Sequence, residues 1–323
     1  MANRDSKFIM VTGGAGFIGS HLVERLLADG KSVVVIDDCS TGSLENLREF
    51  STHPQLQIIQ SKVSGCRDLI ALAAQAEAIY HLAAAVGVEL VVNSPIRTIE
   101  TNLEETEVIL KAASEHRVPI LLTSTSEVYG KSQKAAFAEE DDLLIGPPHL
   151  GRWSYACSKL MDEFLALAYA REHGLPVVIA RLFNTVGPRQ TGSYGMVFPR
   201  FISAAKAGTP VRVYGDGSQT RCFCYVLDTV EALIRLQSSP AARGQVCNVG
   251  NTEEISIIAL ARLILQTLGS SSPIECIAYD QAYAPGFEDM LRRKPVIQKL
   301  INLTGFQPAT PLAAIIMKTA ASI

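Results

Sequence analysis

Residues 8–22 read FIMVTGGAGFIGSHL. Four apolar residues lead into a turn where Gly13, Gly16 and Gly19 recur at every third position, and a helical pattern opens behind them. Strand, glycine turn and helix in this order make one physical demand. The backbone must turn sharply, let a ligand approach closely, and pack a helix against the strand it has just left. The helix N-terminus then offers unpaired N–H groups, a natural seat for a phosphate. Glycines alone would suit an ordinary turn. Asp37 changes the balance: it follows the next apolar run, SVVVI (32–36), 18 residues after Gly19, where a carboxylate can accept hydrogen bonds from ribose hydroxyls. Gly13, Gly16, Phe17, Ile18 and Gly19, with Asp37 and Asp38, form a candidate dinucleotide site. Two adjacent aspartates repel a 2′-phosphate, which favours NAD over NADP.

Outward from this unit, short β-rich runs alternate with helical segments. Strands are expected at FIMV (8–11), SVVVI (32–36), LQIIQ (56–60), AIYHL (78–82), PILLTS (119–124) and VVIAR (177–181). Helices such as GSHLVERLLADG (19–30) and YACSKLMDEFLALAYAREHG (155–174) lie between them. This alternation predicts an α/β fold, a doubly wound parallel sheet of Rossmann type. After Asn184 the pattern breaks into NTVGPRQTGSYGMVFP (184–199), and further strands follow near 211–215 and 245–250. The expected division is residues 1–184 plus about 223–250 for the dinucleotide domain. Residues 185–222 plus 251–323 form a smaller α+β C-terminal lobe for the substrate, with the ligand cleft between the two.

Bulk properties narrow the function. The 323 residues are 48% hydrophobic and 19% charged, with a net charge of −3, which gives no reason to expect nucleic acid or an acidic membrane as partner. SIIALARLILQTL (256–268) is too short to span a bilayer. The first residues, MANRDSKFIMVTGG, lack the apolar core of a signal peptide. Seven cysteines, an odd number without paired CxxC spacing, suit reduced thiols in a cytoplasmic enzyme. Cys222 and Cys224 alternate with Phe223 and Tyr225 and are expected on one strand face. Two thiols are too few for zinc, and no metal is expected.

A second motif, SYACSK (154–159), places Tyr155 and Lys159 four residues apart on one helix face. An ammonium beside a phenol lowers its pKa from the usual ~10. Such a tyrosine can take a hydroxyl proton while hydride leaves the same carbon. Taken alone, the pair could equally be a surface feature. TSTSEVYG (123–130) follows the apolar VPILL (118–122) and sets Thr125, Ser126 and Glu127 at the carboxyl end of a strand, where open α/β sheets bind ligands.

With HLAA (81–84), RLFNTVGPRQTG (181–192), VYGDGSQTRCF (213–223) and RRKP (292–295), these motifs resemble the extended short-chain dehydrogenase/reductases over nearly the whole chain. These are the NAD-dependent epimerase/dehydratase family, whose members act on nucleotide-linked sugars. The resemblance implies NAD as cofactor, contacted also by Leu82, Ala83, Ala84, Tyr155 and Lys159. It implies Thr125 as the hydroxyl assisting Tyr155, and Asn184, Arg189 and Arg221 as substrate-binding residues. A plain salt bridge at a strand edge is the alternative for Arg221.

Thr125-Ser126-Glu127 resembles the Thr-Ser-Glu of UDP-glucuronic acid decarboxylases. Family 4,6-dehydratases have an Asp–Glu pair here, and 4-epimerases have small or hydroxylated residues in place of Glu127. RWSYACSK (152–159) resembles the run before the same helix in decarboxylases that form a 4-keto pentose. UDP-glucuronate is thus the favoured substrate: oxidation at C4, loss of C6 as CO2, then re-reduction to UDP-xylose or release of the ketone. By the same resemblance Arg293 grips the substrate carboxylate, and Glu127 orients the sugar or transfers a proton at C5. The plainer reading of Glu127 is a strand-end cap or the partner of a neighbouring cation. Lys62 stands near where relatives carry an acidic residue towards adenine, and Val296 replaces an aspartate of the last motif. A 4-epimerase and then a 4,6-dehydratase stay open, while a non-catalytic NAD-binding module is disfavoured because Tyr155 and Lys159 are both kept. The resemblance also implies a homodimer through the Tyr155 helix and residues 95–116.

Overall fold

A computed structural model describes residues 7–86, 94–192, 196–278 and 290–323. Residues 193–195 of the Gly/Pro-rich stretch lie outside the described residues. The elements are β1 (Phe8–Thr12), α1 (Phe17–Ala28), β2 (Val33–Asp37), β3 (Leu56–Gln60), α2 (Leu69–Gln75), β4 (Ala76–His81), α3 (Pro95–His116), β5 (Ile120–Thr125), α4 (Ser154–His173) and β6 (Val177–Leu182). They continue as β7 (Thr185–Val186), α5 (Val197–Ala207), β8 (Val211–Tyr214), β9 (Thr220–Cys222), β10 (Cys224–Tyr225), α6 (Val226–Ser238), β11 (Gln245–Val249), β12 (Glu254–Ser256), α7 (Ile257–Leu268), β13 (Ile274–Ile277), α8 (Gln298–Thr304) and α9 (Leu312–Ala320).

Seven strands form one sheet in the order β11-β6-β5-β4-β1-β2-β3, every neighbouring pair parallel. The apolar runs explain it. Ile9 and Val11 point into one core with Val33, Val35, Leu121 and Val178, while Met10, Ile36, Ile79, Ile120, Leu122 and Ile179 fill the core on the other face. A strand buried on both faces shows no polar alternation, which is why these runs read as continuously apolar. β1 lies between β2 and β4, so the chain winds outward in both directions from it. A crevice is left there at the strands' carboxyl ends.

The smaller lobe has its own core of Phe198, Phe201, Ile202, Leu260, Ile264, Ile315 and Ile316. Three two-stranded pairs, β7–β10, β9–β12 and β8–β13, frame it. One segment expected in this lobe packs elsewhere. Ile297 and Leu300, at the start of α8, join the core of the large sheet with Leu233 and Leu236 of α6. Apolar residues at this spacing fit the α6 face, so 297–306 backs the dinucleotide half. Cys222 and Cys224 also depart from expectation. Phe223 turns into the lobe core and breaks the strand, leaving Cys222 paired with Glu254 and Cys224 with Thr185 in different small sheets. Among the described residues no helix is long and apolar enough to cross a membrane.

Candidate active site

A cleft of about 450 Å³ runs along the carboxyl ends of the sheet strands, with the lobe as its other wall. Its floor begins at the glycine turn. Gly13 has φ of +72°, and a Cβ there would stand 2.7 Å from the Ala83 nitrogen, so the chain leaving β4 at Leu82 and Ala83 lies directly against it. A side chain at Gly19 would overlap the Gly13 carbonyl. α1 starts with no side-chain cap and no acidic residue in its first turn. Its leading N–H groups are therefore suited to an anion.

Asp37 braces this turn from below. Its Oδ2 accepts the Ala15 N–H and its Oδ1 the Cys39 N–H, each at 2.8 Å. A carboxylate has about four acceptor positions, so capacity for ribose hydroxyls remains. Burial pushes the Asp37 pKa up, and the backbone donors pull against it. Asp38 accepts the Ser40 N–H at 2.9 Å and lines the same end. Lys62 and Val63 line it too. Glu105 of α3 holds that loop, accepting the Val63 N–H at 2.5 Å and the Ser64 hydroxyl at 2.6 Å. A left-handed glycine, a close backbone approach, an uncapped helix start and a braced carboxylate together fit the adenosine diphosphate half of NAD.

The reactive end lies where β5 stops. Thr125 ends the strand, and a short 3-10 turn over Ser126–Tyr129 follows. The Thr125 hydroxyl accepts the Glu127 N–H at 3.2 Å and hydrogen-bonds Tyr155. Behind it a buried network fixes the geometry. Arg181 of β6 pairs with Glu163 of α4 at 2.7 Å and donates to the Tyr129 hydroxyl at 3.0 Å. Glu163 also accepts from Ser124 of β5. Strand, turn and helix are thereby tied at one point, which keeps Thr125 beside Tyr155.

The expected partnership of Tyr155 and Lys159 is corrected in one respect. Both are buried and line the cleft, but Lys159 Nζ donates to Asp162 Oδ2 at 2.8 Å. Burial, the Glu127 carboxylate and Asp162 together push the Tyr155 phenol above its ordinary value, against smaller pulls from Thr125 and Arg293. The ammonium that was expected to lower this phenol is shared with a carboxylate three residues along the helix. His81, at the end of β4, bonds Thr12 Oγ1 at 2.7 Å. Burial, aided by the Lys159 charge, lowers its pKa to about 3, so it stays neutral.

Glu127 sits between two guanidiniums. Arg152 pairs with its Oε2, and Arg293 Nη1 stands 3.3 Å from its Oε1. Burial alone would raise its pKa, yet Arg152 and Arg293 overcome this and hold it at about 2. The plainer expectation, a carboxylate paired with neighbouring cations, is thus met, but both cations line the cleft. An ionised Glu127 does not serve as a proton donor in this arrangement. Arg152 entered the sequence reading only within RWSYACSK and was given no role there. Its signal was position: three residues before Tyr155, at the mouth of the same helix.

Ser126, Asn184 and Arg221 also line the cleft. Arg189 does not: its backbone takes φ of +66° and its guanidinium turns onto α1, pairing with Glu24 at 2.7 Å. Its neighbours Gln190 and Thr191 face the cleft instead. The lobe adds Arg200 and Arg212, which the sequence reading also missed. The Arg200 guanidinium lies 4.5 Å over the Tyr214 ring, a cationic and aromatic surface at the far end.

The family model described as "NAD dependent epimerase/dehydratase family" matches residues 9–250. The chain is 42% identical over 303 residues to a UDP-N-acetyl-alpha-D-glucosaminuronate decarboxylase of Bacillus cytotoxicus, covering 94% of this chain and 93% of that protein. It is 37% identical to UDP-glucuronic acid decarboxylase 1 of Xenopus tropicalis, covering 99% of this chain and 72% of the relative. Among solved structures it is similar to the UDP-glucuronic acid 4-epimerase of Bacillus cereus in complex with UDP-glucuronic acid and NAD. That match has a TM-score of 0.87 at 29% identity and covers 97% of this chain and 98% of the other. The glycine turn, the Tyr155–Lys159 helix and these likenesses lead to one conclusion: the chain belongs to the NAD-dependent epimerase/dehydratase family.

Proposed function

We propose that this protein decarboxylates a UDP-linked uronate, UDP-glucuronate or its 2-acetamido counterpart, using bound NAD. The observation that carries the reading is the Glu127–Arg152–Arg293 trio in the cleft with Tyr155. Its two guanidiniums, both lining the cleft, are planar donors suited to a carboxylate on the sugar. The two most pertinent relatives are named as decarboxylases of such substrates.

The geometry supports the following roles. The glycine turn, α1 and Asp37 hold the dinucleotide, while the Arg200, Arg212, Arg221 and Asn184 side of the cleft takes the nucleoside diphosphate, for which planar guanidinium donors are suited. Tyr155, bonded to Thr125, accepts the proton of the C4 hydroxyl once it is ionised, which the positive charge of bound NAD⁺ would favour against the burial and carboxylates that oppose it. Bound NAD⁺ supplies the acceptor for the electrons of the C4–H bond. The product of this step is a β-keto acid. Its C6 carboxylate leaves as CO2, the bonding pair becomes an enolate over C4 and C5, and a proton then adds at C5. Arg293 and Arg152 seat the carboxylate. Glu127 shares their charge, so the departing group is not over-stabilised in its anionic form. Lys159 lines the cleft on the same helix face as Tyr155, and Ser126 lines the sugar end.

The reading extends to assembly and place. Met161 (51% exposed) and Phe164 (59%) on α4, with Ile96 (71%) on α3, leave apolar side chains on adjoining helices. A second copy of the chain covers them in a homodimer. All seven cysteines are free, which suits the cytoplasm.

The test is product mass. Purified protein is incubated with UDP-glucuronate, its 2-acetamido counterpart and UDP-glucose, and the products are read by mass spectrometry. A UDP-pentose or its 4-keto form, lighter by CO2, is expected from a uronate. An isomer of unchanged mass would make the protein a 4-epimerase. Loss of water from UDP-glucose would make it a 4,6-dehydratase.

A further inference from the structure

Among the described residues, Asp162 is the one fully buried acid beside the reactive pair whose role the chemistry above leaves unassigned. Its side chain has no exposed surface, and its Oδ2 accepts a 2.8 Å hydrogen bond from Lys159 Nζ, itself 3% exposed. They are three positions apart, so the contact spans less than one helical turn and both side chains leave the same face of α4. A buried carboxylate is costly without a partner, and here the partner is the lysine of the reactive pair.

The surroundings isolate this contact. On α4 itself, Glu163 is matched by Arg181, and Ser158 accepts from Asn102 of α3. From α3, Thr106 approaches both Asp162 and His81, whereas Glu105 directs its carboxylate to the loop at Val63 and Ser64. From β4 comes His81, neutral and bonded to Thr12. Beyond Tyr155 lie Thr125 and Glu127, the latter held by Arg152 and Arg293. Asp162 is therefore the acid that directly shares the Lys159 charge.

We infer that Asp162 is a positioning residue for Lys159: by holding the ammonium along the helix and sharing its charge, it sets the pH at which Tyr155 gives up its proton. The proposal deepens the functional reading and rests on it only in taking Tyr155 as the base. The electrostatics run the same way, since burial, Glu127 and Asp162 oppose ionisation of the phenol. Removing the Asp162 charge acts twice. Its own repulsion of the phenolate disappears, and the Lys159 charge is left whole to attract it.

The experiment compares wild type, Asp162→Asn and Asp162→Glu, each with NAD added. The phenolate is titrated by ultraviolet difference absorbance against the same protein carrying Tyr155→Phe, and the pH profile of turnover is measured beside it. Asp162→Asn is expected to move the Tyr155 titration, and the acid limb of the profile, down by about one pH unit. Asp162→Glu keeps the charge and is expected to titrate near wild type. A Tyr155 titration that stays put or rises in Asp162→Asn overturns the proposal, even if turnover falls. So does an equal shift in both variants, because the charge would then not be the cause. The absorbance titration needs no sugar substrate. Failure of the functional reading would instead appear as Tyr155→Phe retaining wild-type turnover.

Discussion

Glu127 shows how one side chain can be read correctly for its position and incompletely for its state. Its place after an apolar strand marked a chemical position from sequence alone. Its ionisation could not be read there, because the two arginines that govern it lie 25 and 166 residues further along the chain. The sign of its pH dependence is fixed by the direction of the shift. A carboxyl held at about 2 in the folded chain, against 4.5 ordinarily, contributes stability that is fully present above about pH 4.5 and is lost as pH falls towards about 2. Glu127→Gln should therefore melt below wild type at neutral pH, with the gap closing as pH drops through that window. Thermal unfolding followed across pH checks this, and a gap independent of pH would contradict it. Tyr155 teaches the complementary lesson. Tyr-x-x-x-Lys spacing located the pair, but the Lys159–Asp162 contact that shares the charge depends on which rotamer a long side chain takes when buried.

At the scale of the element, the strand–turn–helix of residues 8–28 was the most legible part of the chain. Glycines at 13, 16 and 19 answer constraints internal to one short segment, so local sequence suffices to read them. The same tightness makes a prediction. Gly19→Ala places a methyl group against the Gly13 carbonyl, which must push α1 away from the turn. NAD affinity should fall at least about tenfold, a loss of about 1.4 kcal/mol. Titration of NAD by calorimetry measures it; unchanged affinity would show that the helix start tolerates displacement. Arg189 marks the opposite case. Its motif is local, but its direction is set by a positive φ and by Glu24 on a distant helix, and neither is visible in the motif. The β9–β10 break is similar. Alternation suggested one strand, and burial of Phe223 in the lobe core divided it.

For the whole molecule, the doubly wound sheet was legible because both its faces are buried, so each strand declares itself as an unbroken apolar run. Allocation of segments between the halves was less so. Whether α8 belongs to the lobe or the sheet depends on which apolar surface lies opposite Ile297 and Leu300, a long-range matter. The exposed apolar residues of α3 and α4 carry a prediction at this scale. Phe164→Glu puts a charge on the proposed contact between copies and should convert a dimer to a monomer, as read by light scattering after gel filtration. A wild-type protein that is already monomeric at high concentration would refute the dimer. The proposed seat for the substrate carboxylate is the Glu127–Arg152–Arg293 trio in the cleft with Tyr155, and one single-turnover measurement reaches it directly. UDP-glucuronate and its 2-acetamido counterpart, each isotopically labelled at C6, are mixed with NAD-loaded wild type and with Glu127→Ala, following NADH absorbance and released label together. The label should leave as CO2 in wild type, and in Glu127→Ala NADH should rise while release of the label lags. Label retained in a uronate isomer by the wild-type protein would contradict the account.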